Sequence, residues 1–589
     1  MAVIETPGGH HNETTPEGIF IEWDVPIEMA DGLVLRADVY RPAGEGRFPV
    51  LMTYGPYGKG LPFQEGYSTS WEIMARNHPD VTAGSTNRFQ NWEVVDPEKW
   101  VPEGYICIRV DSRGAGRSPG TMDLWSARET RDFYECIEWA GTQPWSTGKV
   151  GLNGISYYAM NQWQVAAQQP PHLAAICVWE GASDWYRDMS HHGGILCTFV
   201  ANWIPMQVTS VQYGRGENGP RDPNSGLLVC GDETLSADEL AANLPTLGEQ
   251  FLGHPLDHEL YAERAPDFEK ITVPLLSAAN WGGQGLHLRG NLEGYQRSAS
   301  SQKWLEVHGL EHWSHFYTDY GRNLQLRFFD HFLKGTDNGW QDQPPVQVNV
   351  RHVDSSFAVR PEHTWPLERT EWTRFYLDAD AGSLGTEAPQ AAASLAYDTT
   401  GDGASFTIGP LTEQTEITGP IAAKLFIESS TADADLFLVV RVFSPDGEEV
   451  VFHGALDPHT PVAQGWLRAS HRKLDEKLSL PHRPFHTHDE LQPLEPRTVY
   501  ELDVEIWPTC LVVPAGYTVR LDVRGKDYVY PGPAEHLSNM KNPMTGCGPF
   551  VHNDPRDRPA EVFDGTVTLH TGGERQSYLL LPVIPGQGE

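Results

Sequence analysis

The sequence predicts an α/β core carrying a helical insertion, followed by an all-β domain, and three observations carry that prediction. As far as about residue 340, apolar strand-like runs alternate with helix-period segments, the order of a largely parallel sheet covered by helices. Beyond Gly339 the texture becomes short alternating strands with closely spaced turns, the pattern of a β-sandwich. Between Asp188 and Lys270 neither pattern holds, and only short helical pieces such as 237–242 can be read. The 589 residues therefore divide into an α/β core over 1–187 and 271–340, a cap insertion over 188–270 and a sandwich over 341–589.

Residues 19–25 and 33–40 alternate with period two and are joined through Asp31-Gly32, so the chain opens with a hairpin. Residues 48–53 are continuously apolar, as in a strand buried on both faces, and exit into Tyr54-Gly55-Pro56-Tyr57-Gly58-Lys59-Gly60. The stretch from there to Trp100 is too long for a plain connector and suits the roof of a pocket. A strand over 105–110 ends in Asp111-Ser112-Arg113-Gly114, and Ser126 with Glu129 forms a capping box ahead of the apolar face Phe133, Ile137 and Ala140. Strands over 173–179, 271–279 and 304–307 follow, and a helix over 324–334 is stopped by Gly335. In the last domain, 421–428, 435–442, 498–506 and 518–523 read as strands.

The balance of 43 basic against 79 acidic residues, a net charge of −36, repels phosphate backbones and anionic membrane surfaces, so neither nucleic acid nor membrane is an expected partner. Seven cysteines set mostly in apolar runs read as buried thiols and not a disulfide framework. With no signal-like start and no spanning apolar run, a cytoplasmic location is the expectation.

The chemistry centres on Lys149-Val150-Gly151-Leu152-Asn153-Gly154-Ile155-Ser156-Tyr157-Tyr158-Ala159: a strand, an isolated serine, then a helix over 160–167. That order is a nucleophile elbow, the strand-to-helix turn that holds a serine proud of the sheet in α/β-hydrolases. The second glycine of G-x-S-x-G is replaced by Tyr158, with small Ala159 one place on. In such a fold the base follows the last sheet strand, where His308, His312 and His315 stand. His308 to His312 also spell H-x-x-E-H, but a zinc site needs both histidines on one helix face, and the strand before them and Gly309 argue against that helix. No metal and no cofactor is expected.

Tyr54-Gly55-Pro56-Tyr57-Gly58-Lys59, Asp111-Ser112-Arg113-Gly114, Gly154-Ile155-Ser156-Tyr157 and Phe329-Asp330-His331-Phe332-Leu333-Lys334-Gly335 together resemble the cocaine esterase and X-Pro dipeptidyl-peptidase family of α/β-hydrolases, which includes the α-amino acid ester hydrolases. The likeness covers nearly the whole chain, and Thr418-Gly419-Pro420 and Val513-Pro514-Ala515-Gly516 resemble that family's jelly-roll domain. The resemblance implies Ser156 as nucleophile, with the oxyanion held by the backbone N–H of Tyr157 and the phenol of Tyr57. Strand register selects His312 as the base; matching on Trp-Ser-His selects His315. The family aspartate is missing, because its loop here reads Asn280-Trp281-Gly282-Gly283-Gln284-Gly285. Glu180, at the end of the preceding strand, is the expected substitute acid, with a salt-bridged structural glutamate as the competing reading; Asp184 and Asn280 are the weaker candidates.

The expectation is a serine hydrolase cleaving an ester or amide of a small organic molecule through an acyl-enzyme. X-Pro dipeptidyl-peptidase or acyltransferase action is one alternative, and a carbohydrate-binding protein with a disabled core is another. Self-association is left open by the sequence.

Overall fold

The structure is a computed structural model that describes residues 4–5, 11–538, 540 and 544–586. A twelve-stranded sheet forms the core, in the spatial order 4–5, 11–14, 19–28, 34–42, 106–111, 48–55, 146–155, 173–179, 275–280, 303–308, 346–351 and 357–362. From Ile106–Asp111 to Val346–Arg351 neighbouring strands run parallel, and antiparallel strands extend both edges. The central strands are largely buried because both faces are covered, by helices that include Ala127–Thr142, Tyr157–Ala167, Leu288–Arg297 and Asp319–Phe329. All the parallel strands end on one side, where such sheets place their sites.

Strands Val346–Arg351 and Phe357–Glu362, expected on the far side of a domain boundary at 340, extend this core sheet instead. The expected capping box is also only half formed. Ser126 accepts the N–H of Glu129, but the Glu129 carboxylate turns to the N–H of Trp125 and to the phenol of Tyr157, tying the helix start to the elbow.

The insertion is made of short helical turns, among them Phe199–Trp203 and Leu247–Gly253, with a small ribbon of His191–His192 against Ile195–Leu196. The C-terminal domain is β-rich, as expected. Nine of its strands close into a ring, because Tyr578–Ile584 pairs with both Glu371–Asp378 and Thr415–Ser429. The β-rich domain abuts the active edge of the core: the N–H of His312 donates to the Ala455 carbonyl, and the N–H of Ala455 donates to that of Gly282.

The sequence motifs are wired to one another. Asp111, at its strand end, accepts the N–H of Lys59 at 2.6 Å and that of Arg117 at 2.8 Å. The buried Lys59 ammonium bridges Asp38 and Asp24 at 2.9 and 3.3 Å. The loop bearing Tyr57 is thus bolted to the strand below it. Replacing Lys59 by methionine leaves the buried Asp38 without its ammonium while Asp24 keeps Arg117 at 3.0 Å, and an unfolding titration should show a loss of about 3–5 kcal/mol. The motif near 330 is structural too: Asp330 accepts the Tyr105 phenol at 2.7 Å, and Gly335 takes the left-handed conformation (φ 72°) that ends the helix.

Candidate active site

Ser156 sits between the strand Ser146–Ile155 and the helix Tyr157–Ala167 with φ 56° and ψ −114°, a conformation that L-residues rarely adopt. Its N–H donates to the Trp179 carbonyl, that of Ile155 to Glu93, and its own carbonyl accepts from Met160 at 2.7 Å. These bonds over-determine a strained turn, as elbows require. A Cβ at Gly154 would lie 2.5 Å from that of Tyr158, so glycine is needed there. The second small residue is needed at 159 and not 158: a Cβ at Gly181 would lie 2.9 Å from that of Ala159, which is where the helix meets the next strand's exit. Glu93, Glu180 and Leu310, all around the elbow, also have positive φ.

The imidazole at the Ser156 hydroxyl is that of His287, with Nε2 3.3 Å from Oγ. His312, expected to make this contact, lines the same pocket but uses both ring nitrogens elsewhere: Nδ1 on Glu180 at 2.8 Å and Nε2 on Glu93 at 2.9 Å. Its ring lies parallel to that of His287, 5° apart in plane and 4.8 Å between centroids. Glu180 is therefore paired with the imidazole expected of it, and that imidazole is packed against the one touching Ser156. His315 stands off the pocket, against His308 and Tyr320. Asp184 caps the turn after it, accepting from Tyr186 and Arg187. Asn280 donates to Glu180 at 3.1 Å and to the Leu310 carbonyl at 2.8 Å.

Glu180 also takes His308 on its other oxygen at 2.9 Å, and His308 reaches Glu306 at 2.6 Å. Five groups thus form one buried row, Glu306–His308–Glu180–His312–Glu93, ending at the pocket. The zinc reading of His308 and His312 fails on the backbone: His308 ends the strand Lys303–His308, a loop follows, and both rings are spent on carboxylates.

Burial and the neighbouring His312 hold His287 well below the ordinary histidine range, so it is neutral. Burial also works against charge on His312, but the Glu180 and Glu93 carboxylates outweigh it and raise that ring to about 10. Glu180 is opposed by burial yet lowered to about 2 by His312 and His308, whereas burial raises Glu93 to about 7. The surroundings of the two stacked imidazoles thus push their pKa values apart.

Tyr57 lines the pocket with Ser156 and packs edge-on against Tyr157 and Tyr158. Tyr157 is the first residue of its helix, where an N–H has no intrahelical acceptor. Most of the remaining wall is apolar, from Tyr67, Trp92, Phe199, Trp203, Leu286 and Phe550, with Gln207 and Ser538 as its polar members. Sequence reasoning missed His287 and Glu93. His287 was within reach, seven residues past Asn280 on the loop that should have held the acid. Glu93 lies in the long connector, where no local pattern marks it.

A serine raised on a strained turn, with a neutral imidazole at its hydroxyl, is the equipment of a serine hydrolase, and this enzyme is one. Residues 31–317 match the X-Pro dipeptidyl-peptidase (S15 family) profile, and residues 338–580 that of the X-Pro dipeptidyl-peptidase C-terminal non-catalytic domain. A solved CocE/NonD family hydrolase from Staphylococcus aureus is 31% identical, with a TM-score of 0.82 over 96% of this chain and 94% of that one. The cocaine esterase of a Rhodococcus species is 24% identical over 95% of this chain and 98% of its own. A solved α-amino acid ester hydrolase, 16% identical with a TM-score of 0.67 over 97% of this chain and 98% of that one, shares the fold. The chain belongs to the CocE/NonD family of hydrolases.

Proposed function

We propose that the enzyme hydrolyses a carboxylic ester or amide of a small organic molecule through an acyl-enzyme on Ser156, with the work of one histidine divided between two. The carrying observation is the 3.3 Å contact between Ser156 Oγ and His287 Nε2 inside an aromatic pocket. Neutral His287 takes the Oγ proton as the carbonyl is attacked, and the oxyanion is held by the Tyr157 N–H and the Tyr57 phenol. His312, cationic and oriented by Glu180, leaves Glu93 and gives its Nε2 proton to the departing group. At the acyl-enzyme the pair again carries one proton charge, now on His287 in place of His312. In deacylation, water loses a proton to His312 as it attacks, and Ser156 leaves with the proton on His287.

The pH profile of kcat/KM tests this division. Because His287 is held far below its usual range, the acid limb near pH 6.5 that an ordinary histidine base gives should be absent. His312→Gln removes the adjacent cation and should move an acid limb up toward 6.5. A wild-type limb at 6.5 that vanishes in His312→Gln but survives in His287→Gln would return the base role to His312 with Glu180. Tyr57→Phe should lower kcat about 10²–10³-fold with little change in KM, the cost of one oxyanion donor.

A substrate amine is a second reading, favoured by the Glu93 carboxylate at the pocket wall. Aminoacyl esters or X-Pro peptides should then outrun plain acyl esters, and Glu93→Gln should erase the preference. We read the β-rich domain as a jelly-roll-like buttress, since it supplies Ala455, Leu456 and Phe550 to the pocket. The seven cysteines are all buried and unpaired, which supports a reducing, cytoplasmic setting.

A further inference from the structure

Behind the aromatic wall of the pocket, the cap insertion and the β-rich domain bring together His192, Cys197 and His552, at 1, 2 and 0% exposure. His192 Nδ1 and His552 Nε2 face each other at 2.8 Å, and Cys197 Sγ completes a triangle whose donor atoms all lie within 4.8 Å of one another. The outer nitrogen of each ring is already committed. His552 Nδ1 donates to the Asp527 carboxylate at 2.8 Å, and His192 Nε2 to the Asp188 carbonyl at 3.2 Å. With the outer nitrogens donating, His192 Nδ1 and His552 Nε2 face each other across 2.8 Å, an arrangement that suits a cation between them. A carboxylate behind a histidine is also the outer shell that fixes ring and tautomer at metal sites.

We propose that His192, Cys197 and His552 bind a thiophilic d¹⁰ cation, Zn²⁺ or Cu⁺. Two imidazoles and a thiolate are a donor set such ions share. Bonds of about 2.0–2.1 Å to nitrogen and about 2.3 Å to sulfur need the donors only about 3.3–3.6 Å apart, a sub-ångström adjustment of the rings and a closer sulfur. Binding displaces the thiol proton of Cys197. The site is not part of the hydrolytic chemistry but is joined to it. Phe199 is two residues beyond Cys197, and Phe550 two residues before His552. Their rings meet at 5.1 Å in the pocket wall, and the Thr198 N–H donates to the Val551 carbonyl between them. The cation would staple the cap to the β-rich domain and fix that wall.

The test uses the full chain, stripped with a chelator and titrated separately with Zn²⁺, Co²⁺ and, under anaerobic reduction, Cu⁺. The expected results are one equivalent bound, a thiolate-to-cobalt charge-transfer band, and a higher Tm on loading. Cys197→Ser should abolish the band, and Asp527→Asn should weaken binding about 10–100-fold. Loading should change KM for a bulky acyl substrate more than kcat. Near-ultraviolet circular dichroism of Cys197→Ser checks that the variant is folded, and Cys197→Ala serves if it is not. No stoichiometric binding of any of the three ions, or binding and a cobalt band unchanged in both cysteine variants, overturns the proposal and leaves a shared proton between the rings.

Discussion

Ser156→Ala should reduce turnover about 10⁴–10⁶-fold while the protein stays folded, and it should no longer react with a fluorophosphonate. The size follows from acyl-enzyme chemistry: without Oγ no covalent intermediate forms, and the pocket and oxyanion donors retain only weak hydrolysis by water. Replacing serine by alanine removes a hydroxyl whose one strong partner is His287, so the fold should tolerate it. His287→Gln should cost nearly as much, and the double variant hardly more than either alone, because groups that act as a unit are non-additive. Turnover unchanged in Ser156→Ala would end the serine-hydrolase mechanism, whereas a wild-type protein without turnover and inert to the fluorophosphonate would leave a carbohydrate-binding protein with a disabled core. Full activity in His287→Gln would end only the division of labour between the two imidazoles.

Glu180→Leu should be the most damaging substitution for stability among the site residues, by about 3–5 kcal/mol, because it leaves two buried imidazoles without their shared counter-charge. The pH dependence identifies the cause. Glu180 is lowered to about 2 from an ordinary 4.5, so its contribution is complete above 4.5 and is lost as pH falls toward 2. His308 and His312 are raised to about 9 and about 10 from 6.5, so theirs is complete below 6.5 and is lost as pH rises through those values. Glu93 adds a smaller decline between 4.5 and its raised value of about 7. Urea unfolding across pH 3–10 should therefore show stability falling on both sides of about pH 4.5 in the wild type, with both limbs flattened in Glu180→Leu. Equal pH dependence in the two proteins would show that the row of carboxylates and imidazoles is not ionised as described.

Local pattern was enough for the element order of the core. Continuous apolarity over 48–53 and 173–179 marked doubly covered strands, because strands inside a parallel sheet have no polar face to alternate with. The elbow was legible for the same kind of reason, since a strand, a tight turn and a helix all lie within one short segment. The extent of the core sheet was not. The strands at 346–351 and 357–362 alternate like those of the following domain, and only the pairing of the first with Lys303–His308, and of the second with the first, assigns them to the core. The half-formed capping box has the same origin, since the Glu129 carboxylate leaves its own helix for the phenol of Tyr157.

By itself the sequence determined that Ser156 would stand between a strand and a helix and that a β-rich domain would follow. Only the tertiary structure decided which imidazole meets the serine hydroxyl, and that a glutamate from the long connector would hold the other. The physical reason is range. Elbows and strands are set by neighbours a few residues apart, whereas the bonds Ser156–His287 and His312–Glu93 join positions 131 and 219 residues apart, where nothing local records the contact.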